Sequence, residues 1–263
     1  MLTRYFHDPI TLAAVQALIA GSLAFFVVFL SYKLQLRMER DISIALVRGL
    51  IQVVIVGMVL LLIFQEPVAI GFVILAAMMI AAAQTSAKRA RGLPDAFRVS
   101  LYSIVIGSGS VLLVAVAIGV IELKLSALIP VGSMLLANGM NTASLAFNRF
   151  RGEVLAHVGH IDAALSLGAS PRAAVMPYIR AAILASLIPR VDSLRSLGIV
   201  WIPGVMTGML LGGSHPVRAA LYQFVIMSMI LTVSALTSIL AVLLMSRRIF
   251  TPAEQLILRG GQE

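Results

Sequence analysis

Residues 42–64 read ISIALVRGLIQVVIVGMVLLLIF, and Arg48 is the one charged side chain between Ile42 and Phe64. A helix needs about 20 mostly apolar residues to cross a bilayer. Inside hydrocarbon the backbone must satisfy its own N–H and C=O groups, which an α-helix does within the segment. The run is read as a membrane-spanning helix. Working outward, runs of the same character occupy Ile10 to Tyr32, Val68 to Ala83, Val99 to Ile121, Leu128 to Phe147, Leu197 to Leu211 and Val217 to Met245. The expected fold is an all-α polytopic integral membrane protein with about seven transmembrane helices, organised as a single transmembrane domain over residues 1–263.

Composition supports that reading. The chain is 60% hydrophobic and 12% charged, where soluble domains are about 45–50% apolar and about 25% charged. A soluble enzyme is excluded, and so is a disordered chain, which would be poor in apolar residues. With no cysteine, disulfides, iron–sulfur clusters and thiolate zinc sites are excluded as well. The net charge of +9 sits mostly in loops between apolar runs, so it speaks for membrane topology and lipid rather than nucleic acid.

Orientation follows from those loops. Lys33, Arg37 and Arg40 follow the first run and Lys88, Arg89, Arg91 and Arg98 the third, whereas the second and fourth are followed only by Glu66 and by Glu122 with Lys124. Basic loops stay cytoplasmic. Alternation then places Arg149 to Arg195 inside, together with Arg247, Arg248 and Arg259, with the N-terminus outside a bacterial inner membrane. The stretch Arg172 to Ile188 is apolar too, but it carries Pro177 and Arg180 and would send the basic C-terminus outside if it crossed. It is expected to be an interfacial or re-entrant helix.

The long inner loop, about residues 150–190, contains Asp162-Ala163-Ala164-Leu165-Ser166-Leu167-Gly168-Ala169-Ser170-Pro171. An acid, two alanines, three residues and a glycine spell a short helix with a closely approachable surface, ended by a residue free to turn. An ordinary helix–turn–helix joint would look similar. The pattern resembles the coupling loop of ABC transporter permeases, in which Glu-Ala-Ala precedes a glycine; Asp162 here replaces the usual Glu. Val47 to Gln52, Ile129 to Gly132, Asn138 to Asn141, Leu167 to Ser170 and Ile202 to Gly208 widen the resemblance to the FetB-type permeases, which are similar to plant permeases of aluminium tolerance. It spans about Asp41 to Leu256. One departure is that Gly132-Ser133-Met134 stands where the family has an adjacent Gly-Met pair.

The resemblance implies a homodimeric permease that docks on a separate cytoplasmic ABC ATPase through Asp162, Ala163, Ala164, Gly168, Ala169 and Ser170. It implies export of a metal ion such as iron, or of a nucleotide sugar as proposed for a plant member. ATP is expected to be used by the partner, because the chain has no GxxxxGK[ST] phosphate cradle; no cofactor is expected on the chain itself, and it is not read as an enzyme. His157 and His160 could share a helix face, but in that loop a solvated or partner-facing role outweighs a metal site. An ion-driven secondary transporter is the competing class, although neither the internal repeat expected of one nor a carboxylate well inside a run is found.

Polar groups inside the runs are the candidate translocation path, since burying them in lipid is costly. Arg48 and Gln52 are four apart and share a helix face, although Arg48 could also snorkel to the cytoplasmic interface. Met134, Asn138 and Asn141 recur at helical spacing, either as interhelical bonding groups or as ligands for a passing ion. Met134, Met140 and Met206 are the candidate metal ligands, with plain gap-filling the competing role. Pro203 is expected to kink the sixth run. Gly204, Gly208 and Gly212 form a strip open to a second helix, so Gly208→Leu should disturb assembly more than Gly71→Leu.

The topology yields a direct test. A reporter fused after Glu263 is expected to read cytoplasmic and one at the N-terminus external; an external C-terminus would overturn the seven-span reading.

Overall fold

The computed structural model describes residues 9–35, 38–64, 66–90 and 92–258; Arg37, Arg91 and Arg259 of the expected inner loops lie outside them. The chain divides into two compact units, Met1–Glu66 and Pro67–Glu263. In the first, α1 (Pro9–Lys33) packs on α2 (Glu39–Ile63). α1 closes on Lys33 and α2 opens with Glu39 and Asp41, charges that suit the negative and positive ends of the two helix dipoles. The Ser31 hydroxyl donates to Glu39 Oε1 at 3.4 Å across the turn.

The second unit holds α3 (Val68–Arg89), α4 (Ala96–Ala117), α5 (Leu125–Ala156), α6 (Val158–Ser166), α7 (Pro171–Arg195), α8 (Gly204–Leu211) and α9 (Pro216–Ser246). α9 is the axis, packed against α4, α5, α7 and α8, while α5 also packs on α3, α4 and α7. Among the described residues there are no strands beyond two isolated bridges, Leu197 with Trp201 and Phe250 with Leu256.

Six helices are long and apolar enough to span a membrane: α1 from Ala14, α2, α3, α4, α7 and α9. α5 is a seventh long helix, 32 residues or about 48 Å at about 1.5 Å per residue, diluted in apolarity by Ser133, Asn138, Asn141 and Thr142. Two expectations are corrected here. Leu197 to Leu211 is not a span, because its only helix, α8, has 8 residues, or about 12 Å against a hydrocarbon core of about 30 Å. Pro203 does not kink it either; it stands at the N-cap with φ −68° and ψ 155° and starts the helix.

Arg172 to Ile188, in turn, belongs to the continuous 25-residue α7, which is long and apolar enough to span a membrane. It buries Val175, Ile179, Ala182 and Ser186 along one face and leaves Arg180 exposed on another. With α7 counted as a span in place of Leu197 to Leu211, the expected side of the end of α9 is unchanged. Between α4 and α5, Lys124 lies 2.9 Å from Glu122. The hydrogen bond and charge of Lys124 hold the Glu122 carboxyl below its ordinary value, and this pair leaves the loop without the positive charge that marks an inner side.

Glycines on α4 and α5 allow the helices to meet. A Cβ at Gly107 would lie 2.9 Å from the Thr237 nitrogen and 3.0 Å from its Cα on α9, and one at Gly139 would collide with Ser108 Oγ and approach Val233 at 3.3 Å. Thr142 Oγ1 donates to Ser234 Oγ at 3.1 Å, and Ser186 and Ser238 share a hydrogen bond of 2.6 Å. Lipid offers no hydrophobic drive to bring helices together, so close backbone approach and such bonds do so. Nothing lies within 4 Å of a Cβ at Gly204 or Gly208, and one at Gly212 would meet only carbonyl groups of α8 itself. One at Gly71, by contrast, would press on Leu125 and Leu128. Within the chain Gly71 is therefore more closely packed than Gly208.

Gly107→Ala is expected to destabilise the protein by about 1–3 kcal/mol through overpacking, read as a lowered thermal midpoint in detergent. Gly208→Ala should leave that midpoint within error; equal effects would show that the α4–α9 crossing is not the tight point.

Candidate functional site

The end of the second unit that carries the basic loop residues is closed by one hydrophobic cluster. Phe147, Phe150 and Val154 of α5, Ile161 of α6, Val175 and Ile179 of α7 and Met245 of α9 are buried together there with Ile249, Leu256 and Leu258 of the C-terminal segment. That segment folds back on itself, Thr251 N–H donating to the Gln255 carbonyl and Ile257 N–H to that of Ile249, both at 2.8 Å.

α6 is anchored in this cluster by Ile161, with Leu165 packed at its edge. Ala163, Ser166, Leu167 and Gly168 are exposed, and Asp162 and Ala164 are half-buried. Leu167 is 89% exposed, an apolar tip that water alone does not favour. Gly168 has φ +87°, and its N–H donates to Leu165 O at 2.9 Å while that of Ala169 donates to Ala164 O at 3.0 Å. This paired pattern stops a helix on a left-handed residue. Ser170 then caps α7, its Oγ accepting from Ala173 N–H at 3.4 Å ahead of Pro171. The Asp162 carboxylate has no partner among the described residues; only its carbonyl is used, by Ser166 Oγ at 2.8 Å.

His157 is occupied rather than open. Its ring stacks on Tyr178 at 4.8 Å, and its Nδ1 lies 2.8 Å from the Glu153 carbonyl. Among the described residues no group of three His, Cys, Asp or Glu could hold a metal ion.

The intramembrane candidates separate. Arg48 and Gln52 line one shallow hollow on α2 with Ser43 and Val47, as their spacing requires. On α5, Asn138 Nδ2 donates to the Met134 carbonyl at 2.8 Å, and the Asn138 carbonyl accepts from Thr142 Oγ1 at 2.9 Å. Asn138 is thus used within its own helix. Asn141 is exposed, and its Oδ1 accepts from Arg89 of α3 at 3.3 Å. Met134 and Met140 both pack against the second hydrophobic cluster of the unit; six positions apart, they leave α5 about 120° from each other. Met206 lies on α8, where its backbone N–H donates to Gln223 Oε1 at 3.1 Å.

The family described as "Uncharacterised protein family (UPF0014)" matches residues 14–250. The chain belongs to this family. It is 34% identical over 231 residues to "Probable iron export permease protein FetB" of Escherichia coli (strain K12), covering 88% of this chain and 89% of that relative. It is 32% identical over 231 residues to "Protein ALUMINUM SENSITIVE 3" of Arabidopsis thaliana, covering 87% and 84%. A third relative, "UPF0014 membrane protein YjkA" of Bacillus subtilis (strain 168), is 32% identical over 232 residues, covering 87% and 92%. No solved structure matches the chain.

In this UPF0014 membrane protein three residues gain roles that sequence reasoning missed. From the sequence Arg89 reads only as a topology charge and Leu167 only as part of a family motif, and Gln223 is not singled out. Gln223 is 2% exposed on α9 and satisfies one of the free N–H groups of the first turn of α8. An amide inside the run Val217 to Met245 was the available signal, by the same rule that singled out Asn138. Gln223→Leu removes that acceptor and should cost about 1–3 kcal/mol, seen as a lower thermal midpoint and faster proteolysis between Leu197 and Gly213. An unchanged midpoint and digestion pattern would show that α8 does not depend on this bond.

Proposed function

We propose that the chain is the permease subunit of an ABC-type exporter, a homodimer in the bacterial inner membrane that works with a separate cytoplasmic ATPase. The observation that carries this reading is α6. It is a short helix with an exposed tip at Leu167 and Gly168, rooted by Ile161 in the cluster that joins α5, α7 and α9. Close-packed interiors are bistable rather than continuously deformable. A push delivered at the tip therefore reaches the ends of three long helices through Ile161, Val154 and Val175 instead of being absorbed locally. ATP is bound and split by the partner, and this chain supplies the lever and the path.

The cargo proposed is a metal ion, iron by similarity to the relative named for iron export. The path would run along the face of α5 that carries Met134, Asn138 and Asn141, with Met140 and Met206 as further soft donors. A second reading, an anionic solute such as a nucleotide sugar, is favoured by one specific observation: the exposed amide of Asn141 is held by the guanidinium of Arg89, and a fixed cation attracts an anion and repels a bare metal ion.

Gly168→Glu is expected to leave membrane level normal and to remove the ATPase from pull-downs with the tagged permease. Bulk at a position of φ +87° strains the turn, and a charge pressed into a packed contact must be desolvated without a partner. Asp162→Glu should be nearly silent. Export from intact cells, followed as retained iron, should fall with Gly168→Glu only. Wild-type partner binding and export in that variant would remove α6 as the coupling element.

A further inference from the structure

Where α7 begins and α9 ends, the second unit forms a half-open cavity of about 660 Å³. Both helices are long and apolar enough to be spans, so the cavity lies at a membrane boundary, and Arg172, Arg247 and Arg248 mark that boundary as the basic one. Arg248 is neutralised by Asp95, at 3.0 Å. Arg172 and Arg247 are exposed and have no ion-pair or hydrogen-bond partner among the described residues. Glu254 on the same rim is the one other carboxylate of the lining. Leu243 and Phe250 supply an apolar wall.

The charge arrangement calls for an anion. Arg172 stands in the first turn of α7, which has no acidic residue, so a cation sits at the positive pole of a helix, with the second unpaired guanidinium lining the same cavity. A guanidinium matches a phosphate through two parallel N–H···O bonds, and basic pockets between helices on the cytoplasmic side of membrane proteins take phospholipid headgroups. A soluble phosphate would satisfy the charge but not the apolar wall, nor the placement at the ends of two spans. We propose that this cavity binds the headgroup of an anionic phospholipid, with Arg172 and Arg247 holding the phosphate and Leu243 and Phe250 receiving the glycerol and first methylenes. Since Phe250 and Thr251 belong to the segment that closes the core around Ile161, bound lipid would brace the root of α6.

The test uses the full chain in detergent, stripped of lipid and titrated with short-chain phosphatidylglycerol, short-chain phosphatidylcholine or inorganic phosphate, followed by native mass spectrometry and thermal midpoint. Phosphatidylglycerol is expected to bind about tenfold more tightly than phosphatidylcholine, and Arg172→Gln with Arg247→Gln together to cost about tenfold of that affinity. Arg180→Gln, a single loss of charge elsewhere on α7, should change it less than about twofold, against about threefold for Arg172→Gln alone. Glu254→Gln removes the competing carboxylate and should tighten phosphatidylglycerol binding, a gain that a misfolded protein cannot give. Equal affinity for the two lipids, an equal loss in Arg180→Gln, no gain in Glu254→Gln, or displacement of the lipid by an equal concentration of inorganic phosphate would each overturn the assignment.

Discussion

The second unit depends on how closely α4 and α5 can approach α9. Hydrocarbon gives two apolar helices no reason to prefer each other over lipid, so association rests on backbone proximity and on the few polar bonds made at the contact. Gly107 and Gly139 provide the proximity. Thr142 with Ser234, and Ser186 with Ser238, provide the bonds. Ser108 Oγ and Thr237 Oγ1 sit at the same crossing without a hydrogen-bond partner, so contact rather than bonding sets the separation there. With α9 held, α5 and α7 are fixed beside it, and α6 is fixed in turn because it hangs between them.

That chain of dependence gives the proposed coupling element its mechanical sense. α6 has only 9 residues, and helices shorter than about 12 residues are marginal by themselves. Its stability comes from Ile161 in a core shared with α5, α7, α9 and the C-terminal segment, and from the hydrogen-bonded stop at Gly168. A helix held in this way moves with its core. The exposed tip at Leu167 and the Asp162 carboxylate are then left without a partner among the described residues.

The polar residues within the long helices divide by the same bookkeeping. Asn138, Thr142, Ser144 and Ser186 return hydrogen bonds to the preceding turn or to a neighbouring helix, and Gln223 spends its acceptor on α8. Asn141 and Arg89 meet each other at an exposed position, where lipid would be a poor neighbour.

What the sequence determined by itself is whatever depends on short range. The all-helical membrane fold follows from apolar run length, because a backbone in lipid has few other ways to satisfy itself. The short helix through Asp162 and its stop at Gly168 follow from local chemistry, and the family resemblance rests on motifs of the same short range. Tertiary structure decided what depends on which faces meet. Read along the chain, Arg180, Pro177 and the side of the basic C-terminus count against α7 as a span, whereas in the fold Arg180 is turned outward and Val175, Ile179 and Ala182 are buried. At the visible glycine motif, Cβ atoms on Gly204 and Gly208 would meet nothing within 4 Å in the chain, while isolated Gly107 and Gly139 carry the close crossings. Arg89 meets Asn141 across 52 positions and Asp95 meets Arg248 across 153; no periodicity within a helix encodes such pairs, because the distance between them is set by packing and not by the chain that joins them.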